Sequence, residues 1–321
     1  MRTLVTGGAG FIGSHLVDRL VERGDTVVVL DDLSTGRRAN LAHHAEGGPV
    51  QRIEGTILDE PTVGELVAGS DRVFHLAAAV GVDKIVRDPL GSLQVNTRGS
   101  ENVIAACALS GRKVLIASSS EVYGKTSRVP MQEDDDRILG STMVHRWSYA
   151  TAKALDEHLA LAHVMHGLRT VIVRYFNIYG PRMDPRGYGS VMANFLRQAT
   201  RGEPMTVYGD GLQTRCFTYI DDCIDGTLLA METEAAEAQA FNIGNQQSET
   251  TITDLARMVV ALTGSTSTVA HETYEARYGP GFEDTRRRVP DASRATERLG
   301  WTAKVRLEEG LRRTLESWPT G

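Results

Sequence analysis

Cysteines are few in this sequence, and long apolar runs are absent. The three cysteines, Cys107, Cys216 and Cys223, are odd in number and form no Cys-x-x-Cys pair. They indicate neither a disulfide framework nor a zinc site, and we expect no bound metal. The apolar runs are too short to cross a bilayer, and the residues after Met1 lack the apolar core of a signal peptide. We therefore expect a cytoplasmic protein without a membrane partner.

Concentrated positive charge is lacking as well. The 321 residues include 35 lysines and arginines against 41 aspartates and glutamates, which gives a net charge of -6. Nucleic-acid-binding proteins need a concentrated basic face, so we expect no nucleic-acid partner. A small anionic ligand is compatible with this charge, because a few well-placed arginines can hold it. The length suits one large α/β domain or two smaller ones, and we expect two lobes.

The N-terminal stretch predicts a strand, a glycine-rich turn and a helix. Residues 2–6 predict a short buried strand, and an amphipathic helix follows the turn and ends before Gly24. Gly7, Gly10 and Gly13 stand in the turn with the spacing Gly-x-x-Gly-x-x-Gly. Such glycines allow a tight turn and let the backbone approach a pyrophosphate, whose charge the helix N-terminus attracts. This stretch therefore predicts a dinucleotide-binding site.

Two aspartates end the next strand. The apolar run 27–30 predicts a parallel strand covered on both faces, and Asp31 and Asp32 follow it directly. A carboxylate at this position accepts the ribose hydroxyls of a dinucleotide. It would also repel a 2′-phosphate, and the next basic residues, Arg37 and Arg38, lie beyond the following turn. The sequence therefore favours NAD over NADP.

Strands and helices alternate through the first half of the chain. Strands are predicted near 50–54, at 72–76 and at 113–117, with helices near 61–68 and 92–109. This spacing predicts an α/β fold built on a doubly wound parallel Rossmann sheet. Ligands bind at the carboxyl ends of the strands in such a sheet.

The alternation becomes irregular in the second half. The segment 175–182 is rich in turn formers and aromatic residues, and we interpret it as the entry to a smaller C-terminal substrate-binding lobe. The expected NAD-binding domain comprises residues 1–174 and about 217–243, and the expected lobe comprises residues 175–216 and 244–321.

One stretch carries the groups needed for redox and acid–base chemistry on a bound alcohol. Ser119, Ser120 and Glu121 follow a predicted strand, and Tyr149 and Lys153 lie one turn apart on a predicted helix. A carboxylate at the carboxyl end of a buried strand is costly unless it is used. The alternative is that Glu121 only orients the neighbouring backbone.

Taken together, these motifs resemble the extended short-chain dehydrogenase/reductase family, and within it the nucleotide-sugar epimerases, dehydratases and decarboxylases. The resemblance covers nearly the whole chain, with the motifs in the family's order. The matching segments are 6–13, Leu76-Ala-Ala78, Asn96-Thr97, 118–124, Tyr149-x-x-x-Lys153, 174–181, 208–215, Tyr219-Ile-Asp-Asp222, Asp291-x-Ser-Arg294 and Leu299-Gly-Trp301.

This resemblance implies that Tyr149 is the base of the redox step, with Lys153 as its partner and Ser119 as a hydrogen-bond partner of the reacting sugar hydroxyl. The chemistry agrees, because a nearby ammonium and a positive nicotinamide ring both stabilise a phenolate. Ser120 and Glu121 complete the expected catalytic set. The expected cofactor-binding residues are Gly7, Gly10, Phe11, Ile12, Gly13, Asp31, Asp32, Leu76, Ala77, Ala78, Asn96, Tyr149 and Lys153.

The resemblance also implies where a nucleotide diphosphate binds. Asn177, Arg182 and Arg215 fall where the family holds it, and a guanidinium group suits this task because its donors form a fork. Arg288, in a run of three arginines, is a further candidate. The expected substrate-binding residues are Lys84, Asn177, Arg182, Val191, Arg215 and Arg288.

The residues after Ser119 bear on the reaction. The 4-epimerases of the family carry small residues there, whereas its 4,6-dehydratases carry Thr-Asp-Glu, and this chain keeps Glu121 behind Ser120. The sequence as a whole resembles the UDP-N-acetylglucosamine 5,6-dehydratases of tunicamycin biosynthesis. We therefore expect a UDP-sugar dehydratase of antibiotic biosynthesis. It would oxidise carbon 4 transiently, remove the carbon 5 proton through Glu121, eliminate the carbon 6 hydroxyl and convert UDP-N-acetylglucosamine to a 5,6-unsaturated (exo-glycal) sugar.

Other functions stay open at this point. UDP-glucuronate decarboxylases carry a similar Ser-Glu pair and an ending like Arg287 to Asp291, and a UDP-sugar 4-epimerase is the other enzymatic alternative. A protein of this fold that only senses NAD or a nucleotide sugar is a non-enzymatic alternative, because fold alone does not confer activity. The resemblance further implies a homodimer formed through the helices at 92–109 and 146–166.

Overall fold

The chain forms a seven-stranded parallel sheet with helices on both faces. The computed structural model describes residues 1–186, 190–278 and 283–319. The spatial order of the sheet is β3-β2-β1-β4-β5-β6-β11. Its strands are β1 (Arg2–Thr6), β2 (Thr26–Asp31), β3 (Val50–Glu54), β4 (Arg72–His75), β5 (Lys113–Ser119), β6 (Thr170–Tyr175) and β11 (Ala240–Ile243).

The sheet lies between two apolar layers. One layer contains Leu16 and Val17 of α1 (Phe11–Glu22) with residues of α8 (Ile220–Glu232). The opposite layer contains residues of α2 (Glu60–Ala68), α5 (Ser100–Ser110) and α6 (Ser148–Val164). Strands covered on both faces are buried along their whole length, as in β6, where all six residues are buried. The doubly wound parallel sheet predicted from the sequence is therefore confirmed.

The strand order reverses at β1, which places a binding crevice beside it. β1 pairs with β2 on one side and with β4 on the other, both in parallel. The helices that follow β1 and β4 consequently leave in opposite directions, and a gap opens at the carboxyl ends of these strands. The glycine turn after β1 lies in this gap.

The helix predicted across 92–109 is interrupted. It comprises the end of α4 (Pro89–Gln94), a π-helical segment at Val95–Gly99 and α5, and a separate short helix, α3 (Val82–Arg87), precedes it. Asp88 caps α4 by accepting a hydrogen bond from the Gly91 amide at 2.9 Å. A π turn is common at functional sites, and this one places Asn96 against the wall of the crevice.

The second half of the chain supplies three small sheets, ordered β10-β7, β12-β9-β14 and β13-β8. Among the described residues, no helix has the length and apolarity needed to cross a membrane. The strands are β7 (Ile178–Tyr179), β8 (Met205–Tyr208), β9 (Thr214–Cys216), β10 (Thr218–Tyr219), β12 (Glu249–Thr251), β13 (Val269–Glu272) and β14 (Arg287–Arg288). The helices are α7 (Val191–Thr200), α9 (Ile252–Thr263), α10 (Tyr274–Tyr278), α11 (Ser293–Leu299) and α12 (Leu307–Glu316).

Candidate active site

A cavity of about 370 Å³ opens at the carboxyl ends of β1, β2, β4 and β5. The glycine turn and the aspartates form one end, and the serines, Glu121 and the Tyr149/Lys153 pair form the other. The predicted catalytic and cofactor residues that line it are Gly7, Gly10, Phe11, Ile12, Gly13, Asp31, Asp32, Leu76, Ala77, Ala78, Ser119, Ser120, Glu121, Tyr149 and Lys153. The chain thus brings together residues that are more than 140 positions apart.

The glycine turn has no room for side chains. Gly7 has φ +73°, and a Cβ there would lie 2.7 Å from the backbone nitrogen of Ala77. A Cβ on Gly13 would lie 2.1 Å from the carbonyl oxygen of Gly7. Gly10 is the N-cap of α1 and offers no side chain to cap it. The bare amide groups of this helix end can therefore face a diphosphate, and the turn fits a dinucleotide.

Asp31 is fixed by backbone amides at the end of β2. The Ala9 amide donates to its Oδ2 at 2.9 Å, and the Leu33 amide donates to its Oδ1 at 2.8 Å. Burial raises the pKa of the Asp31 carboxyl above its ordinary value, and these hydrogen bonds oppose the shift. The remaining lone pairs of the carboxylate are available to ribose hydroxyls.

Asn96 supports the cavity without lining it. Its side-chain oxygen accepts from the Ala79 amide at 2.7 Å, and its side-chain nitrogen donates to the Ala79 carbonyl at 2.9 Å. This pair of bonds fixes the segment that follows β4, which contains the lining residues Leu76 to Ala78. Asn96 can influence a bound cofactor only through that segment.

Ser119 and Tyr149 meet at the other end of the cavity. Ser119 ends β5, and its hydroxyl forms a hydrogen bond with the Tyr149 phenol. Burial raises the pKa of Tyr149 above its ordinary value; the charges of Glu121 and Asp156 add to the rise, and the Ser119 hydrogen bond opposes it. Tyr149 is therefore protonated in the free protein, and it becomes a base only when positive charge is added nearby.

Glu121 lies between two buried guanidinium groups. Nη1 of Arg146 is 2.6 Å from its Oε2, and Nη1 of Arg288 donates to its Oε1 at 2.6 Å. Burial alone would raise the pKa of the Glu121 carboxyl, but the charges and hydrogen bonds of Arg146 and Arg288 outweigh it and hold the pKa far below its ordinary value. Glu121 is therefore an ionised and weakly basic carboxylate.

A third arginine lies close to this pair. Arg288 of β14 is in register with Arg215 of β9, and Arg215 donates to Asp284 at 2.8 Å. Asp284 is also 3.8 Å from Arg146. We call Arg146, Arg215 and Arg288 the arginine cluster. Its three positive charges face the two negative charges of Glu121 and Asp284, so the cluster carries an excess of one positive charge beside the cavity.

The predicted substrate residues are not all at the cavity. Arg288 and Asn177 line it, and the Asn177 side chain donates to the Cys216 carbonyl at 2.8 Å. Arg215 is next to Arg288 but pairs with Asp284.

The other three lie outside the lining residues. Arg182 forms an ion pair of 2.6 Å with Asp18 on α1, which also contacts His43 and His44. Lys84 donates to the Ser34 hydroxyl at 3.4 Å, near the aspartate end. Val191 begins α7 and packs against the core.

Sequence reasoning missed Arg146, Asp284 and Asp156. Arg146 is three residues before Tyr149 and lies within the helix expected at 146–166, so its place on the same face as Tyr149 could have been predicted. In the structure, α6 itself begins at Ser148. Asp156 is likewise three residues after Lys153 and pairs with it at 3.1 Å. Asp284 carries no comparable local signal, because its position depends on the pairing of β14 with β9.

Comparison with known proteins identifies the family. Residues 3–244 match the model of the NAD dependent epimerase/dehydratase family. The chain is 42% identical over 315 residues to a UDP-N-acetyl-alpha-D-glucosaminuronate decarboxylase of Bacillus cytotoxicus, which covers 98% of this chain and 97% of the relative.

Two solved structures have the same fold. A UDP-glucose 4-epimerase of Thermotoga maritima, solved with UDP-glucose, superposes with a TM-score of 0.89 at 35% identity and covers 99% of this chain and 98% of its own. A UDP-glucuronic acid 4-epimerase of Bacillus cereus, solved with UDP-glucuronic acid and NAD, has a TM-score of 0.88 at 31% identity with the same coverage.

These relatives confirm the predicted fold and cofactor, NAD, but they correct one expectation. None of the three is a 5,6-dehydratase of tunicamycin biosynthesis, and the first is named a decarboxylase. The particular resemblance expected from the sequence is therefore not supported, whereas the wider one is. The chain belongs to the NAD-dependent epimerase/dehydratase family.

Proposed function

We propose that this protein is an NAD-dependent UDP-sugar decarboxylase whose substrate is a UDP-linked uronic acid, with UDP-N-acetylglucosaminuronate favoured. The arginine cluster carries the proposal, because its excess positive charge lies beside Tyr149 and Ser119, where the reacting sugar would bind. A uronic acid carries a carboxylate on carbon 5, and guanidinium groups bind carboxylates through paired hydrogen bonds. The 42% identity to a decarboxylase over nearly both full lengths supports the same substrate class.

Each residue at the catalytic end has a task in this reaction. Tyr149 acts as a phenolate, which the Lys153 ammonium stabilises, and takes the proton of the hydroxyl on carbon 4. Ser119 holds the same hydroxyl by a hydrogen bond. NAD, when bound, would supply the acceptor for the carbon 4 hydride and the donor for the final reduction. Gly7, Gly13 and Asp31 are the residues that would hold that cofactor.

Oxidation at carbon 4 makes the neighbouring carboxylate leave. With a ketone at carbon 4, the carboxylate on carbon 5 is that of a β-keto acid, so the bond to it breaks and its electrons form an enolate. The protonated Tyr149 and Ser119 stabilise the enolate oxygen by donating hydrogen bonds. A proton from solvent then takes the place of the lost carboxylate on carbon 5, and reduction of the ketone gives a sugar shorter by one carbon dioxide.

The state of Glu121 favours decarboxylation over 5,6-dehydration. Dehydration requires a base that removes the carbon 5 proton, and a carboxylate with a strongly lowered pKa is a poor base. Decarboxylation needs no such base, because carbon dioxide leaves with the bond that breaks. In this proposal Glu121 keeps Arg146 and Arg288 in place, and Ser120 is a buried residue of the cavity wall.

Product mass tests the proposal. The purified protein is incubated with NAD and, separately, with UDP-N-acetylglucosaminuronate, UDP-glucuronate, UDP-N-acetylglucosamine and UDP-glucose, and the products are weighed by mass spectrometry. We expect loss of carbon dioxide from a uronic acid and no change of the neutral sugars, with Tyr149→Phe inactive. Loss of water from UDP-N-acetylglucosamine would instead support the 5,6-dehydratase. A product of unchanged mass and altered configuration would support an epimerase.

A further inference from the structure

Lys153 has a buried partner that the reaction described above does not use. Its Nζ donates to Oδ2 of Asp156 at 3.1 Å, and the two side chains are 2% and 0% exposed. Both residues belong to α6, three positions apart. A buried ammonium is costly without a counter-charge, so Asp156 lowers the cost of keeping Lys153 charged.

The Asp156 carboxylate ends a directional chain of hydrogen bonds. Oδ2 accepts from the Ser100 hydroxyl at 3.1 Å, and the oxygen of Ser100 is 3.1 Å from Nε2 of His75. Nδ1 of His75 is 2.8 Å from the Thr6 hydroxyl. The Ser100 hydroxyl donates its hydrogen to Asp156, so its oxygen accepts a hydrogen bond from His75. Nε2 of His75 therefore carries the ring proton, and Nδ1 of His75 accepts a hydrogen bond from the Thr6 hydroxyl.

The other end of this series of hydrogen bonds, at Thr6, lies at the cavity wall. The amide of Ala77, a lining residue, donates to the Thr6 hydroxyl at 3.3 Å. Thr6, His75, Ser100 and Asp156 are each fully buried. Burial lowers the pKa of His75 to about 3, and the charge of Lys153 acts in the same direction. His75 is therefore neutral at physiological pH. The hydrogen bonds from Thr6 to Asp156 thus fix the Asp156 carboxylate without placing a further positive charge beside it.

Other charged groups around Lys153 are already engaged. Glu157, the next residue on α6, binds Arg174 of β6 at 2.6 Å and Ser118 of β5 at 2.5 Å. Glu121 is held by the arginine cluster. Tyr149, on the same helix, and His75, on β4, are two further titratable groups near Lys153, and both are neutral in the free protein. Asp156 is thus the carboxylate that acts on Lys153.

We propose that Asp156 is a positioning residue of the redox step, which holds the Lys153 ammonium in its charged form beside Tyr149 and is itself fixed by Thr6, His75 and Ser100. The proposal rests on the role of Tyr149 and Lys153 given under the proposed function. The two residues have different roles. Lys153 stabilises the phenolate, and Asp156 keeps Lys153 from losing its proton in a buried place.

Lys153 reactivity tests this without turnover. Asp156→Asn and the wild-type protein are treated with acetic anhydride in mildly alkaline buffer, and acetylation of Lys153 is followed by peptide mass spectrometry. Only the neutral amine reacts, so the variant should be acetylated at Lys153 at least about tenfold faster. Ser100→Ala is the matched control, because it removes a hydrogen bond to Asp156 and leaves the charge. Equal rates in Asp156→Asn and wild type would overturn the proposal.

Turnover gives a second readout, whichever reaction the product masses reveal. In Asp156→Asn, kcat should fall as pH rises into the alkaline range, because Lys153 loses its proton there; at one pH unit past that point about a tenth of the activity is left. A purely structural role would lower kcat equally at every pH, and that result would count against the proposal. If the wild type is inactive on every sugar tested but Lys153 is still acetylated faster in Asp156→Asn, the proposed function is rejected and the role of Asp156 is not.

A double variant covers the case in which Asp156→Asn fails to fold. Lys153→Met/Asp156→Asn removes both charges together and leaves neither buried alone. If Asp156 acts through Lys153, this variant should have the same kcat as Lys153→Met. A further loss of tenfold or so in the double variant would show that Asp156 acts by another route.

Discussion

Replacing Glu121 by glutamine removes the negative charge that two buried guanidinium groups share. The side chains of Arg146 and Arg288 are 5% and 6% exposed, and each lies 2.6 Å from a Glu121 oxygen. Breaking a buried ion pair on one side costs about 3–5 kcal/mol, because it leaves an uncompensated charge. Asp284, 3.8 Å from Arg146, offsets part of this cost. We therefore expect a loss at the lower end, about 3 kcal/mol.

Differential scanning calorimetry measures this loss. An unfolding entropy of about 2.1 cal/mol/K per residue gives about 0.7 kcal/mol/K for this chain, so Tm should fall by about 4–5 °C at neutral pH. Glu308→Gln is the matched control, since Glu308 pairs with Arg312 on the surface and both side chains are 58% exposed. An exposed pair contributes less than about 1 kcal/mol, so this Tm should change by about 1.5 °C or less.

The difference in Tm should depend on pH in one direction. The pKa of Glu121 is lowered in the folded protein from an ordinary value of 4.5, because the two arginines outweigh its burial. Such a group stabilises the fold above its unfolded pKa and loses this contribution as the pH falls toward its folded pKa. The gap between wild type and Glu121→Gln should therefore narrow below about pH 4.5. If the two proteins had the same Tm at neutral pH, or if their difference in Tm did not change as the pH is lowered, an ionised Glu121 between the two arginines would be refuted.

Two further predictions concern the cofactor turn and the subunit contact. Gly13→Ala should weaken NAD binding in calorimetric titration by more than about tenfold, because its Cβ would lie 2.1 Å from the Gly7 carbonyl oxygen. Gly64→Ala is the control, because its Cβ would meet nothing within 4 Å, and it should bind NAD as the wild type does. Leu109 on α5 is 91% exposed, so if the expected dimer forms through α5 and α6, Leu109→Glu should elute as a monomer in gel filtration. Leu212→Glu, at an exposed site away from these helices, should leave the elution unchanged, and a Leu109→Glu protein that elutes as wild type would reject this contact.

The sequence was most informative where a function depends on consecutive residues. Gly7 to Gly13 and Asp31 lie within one βαβ unit, so their spacing alone places them at one cavity. NAD and the parallel sheet could therefore be predicted and are confirmed. The interrupted helix was not predicted, because the periodicity of 92–109 does not mark the π-helical segment at Val95–Gly99, whose Asn96 bonds the backbone of Ala79.

The reaction was harder to predict than the fold. Glu121 was interpreted as the base of a dehydration, because a carboxylate at a strand's carboxyl end has that chemistry available to it. Its protonation behaviour is set by Arg146 and Arg288, one of them 167 residues away in sequence. A residue's type can be read from the sequence, whereas its basicity depends on neighbours that only the fold supplies.

The position of β11 has a consequence for biosynthesis. β11 is the outermost strand beside β6, yet it follows the first segment of the predicted substrate lobe, residues 175–216, in sequence. While the ribosome makes the intervening residues, the outer edge of β6 has unpaired amide and carbonyl groups on an apolar strand. Such an edge attracts other strands, including those of neighbouring nascent chains. The nascent chain therefore completes its seven-stranded sheet only after residues 175–216, the first part of the predicted substrate lobe, have been made.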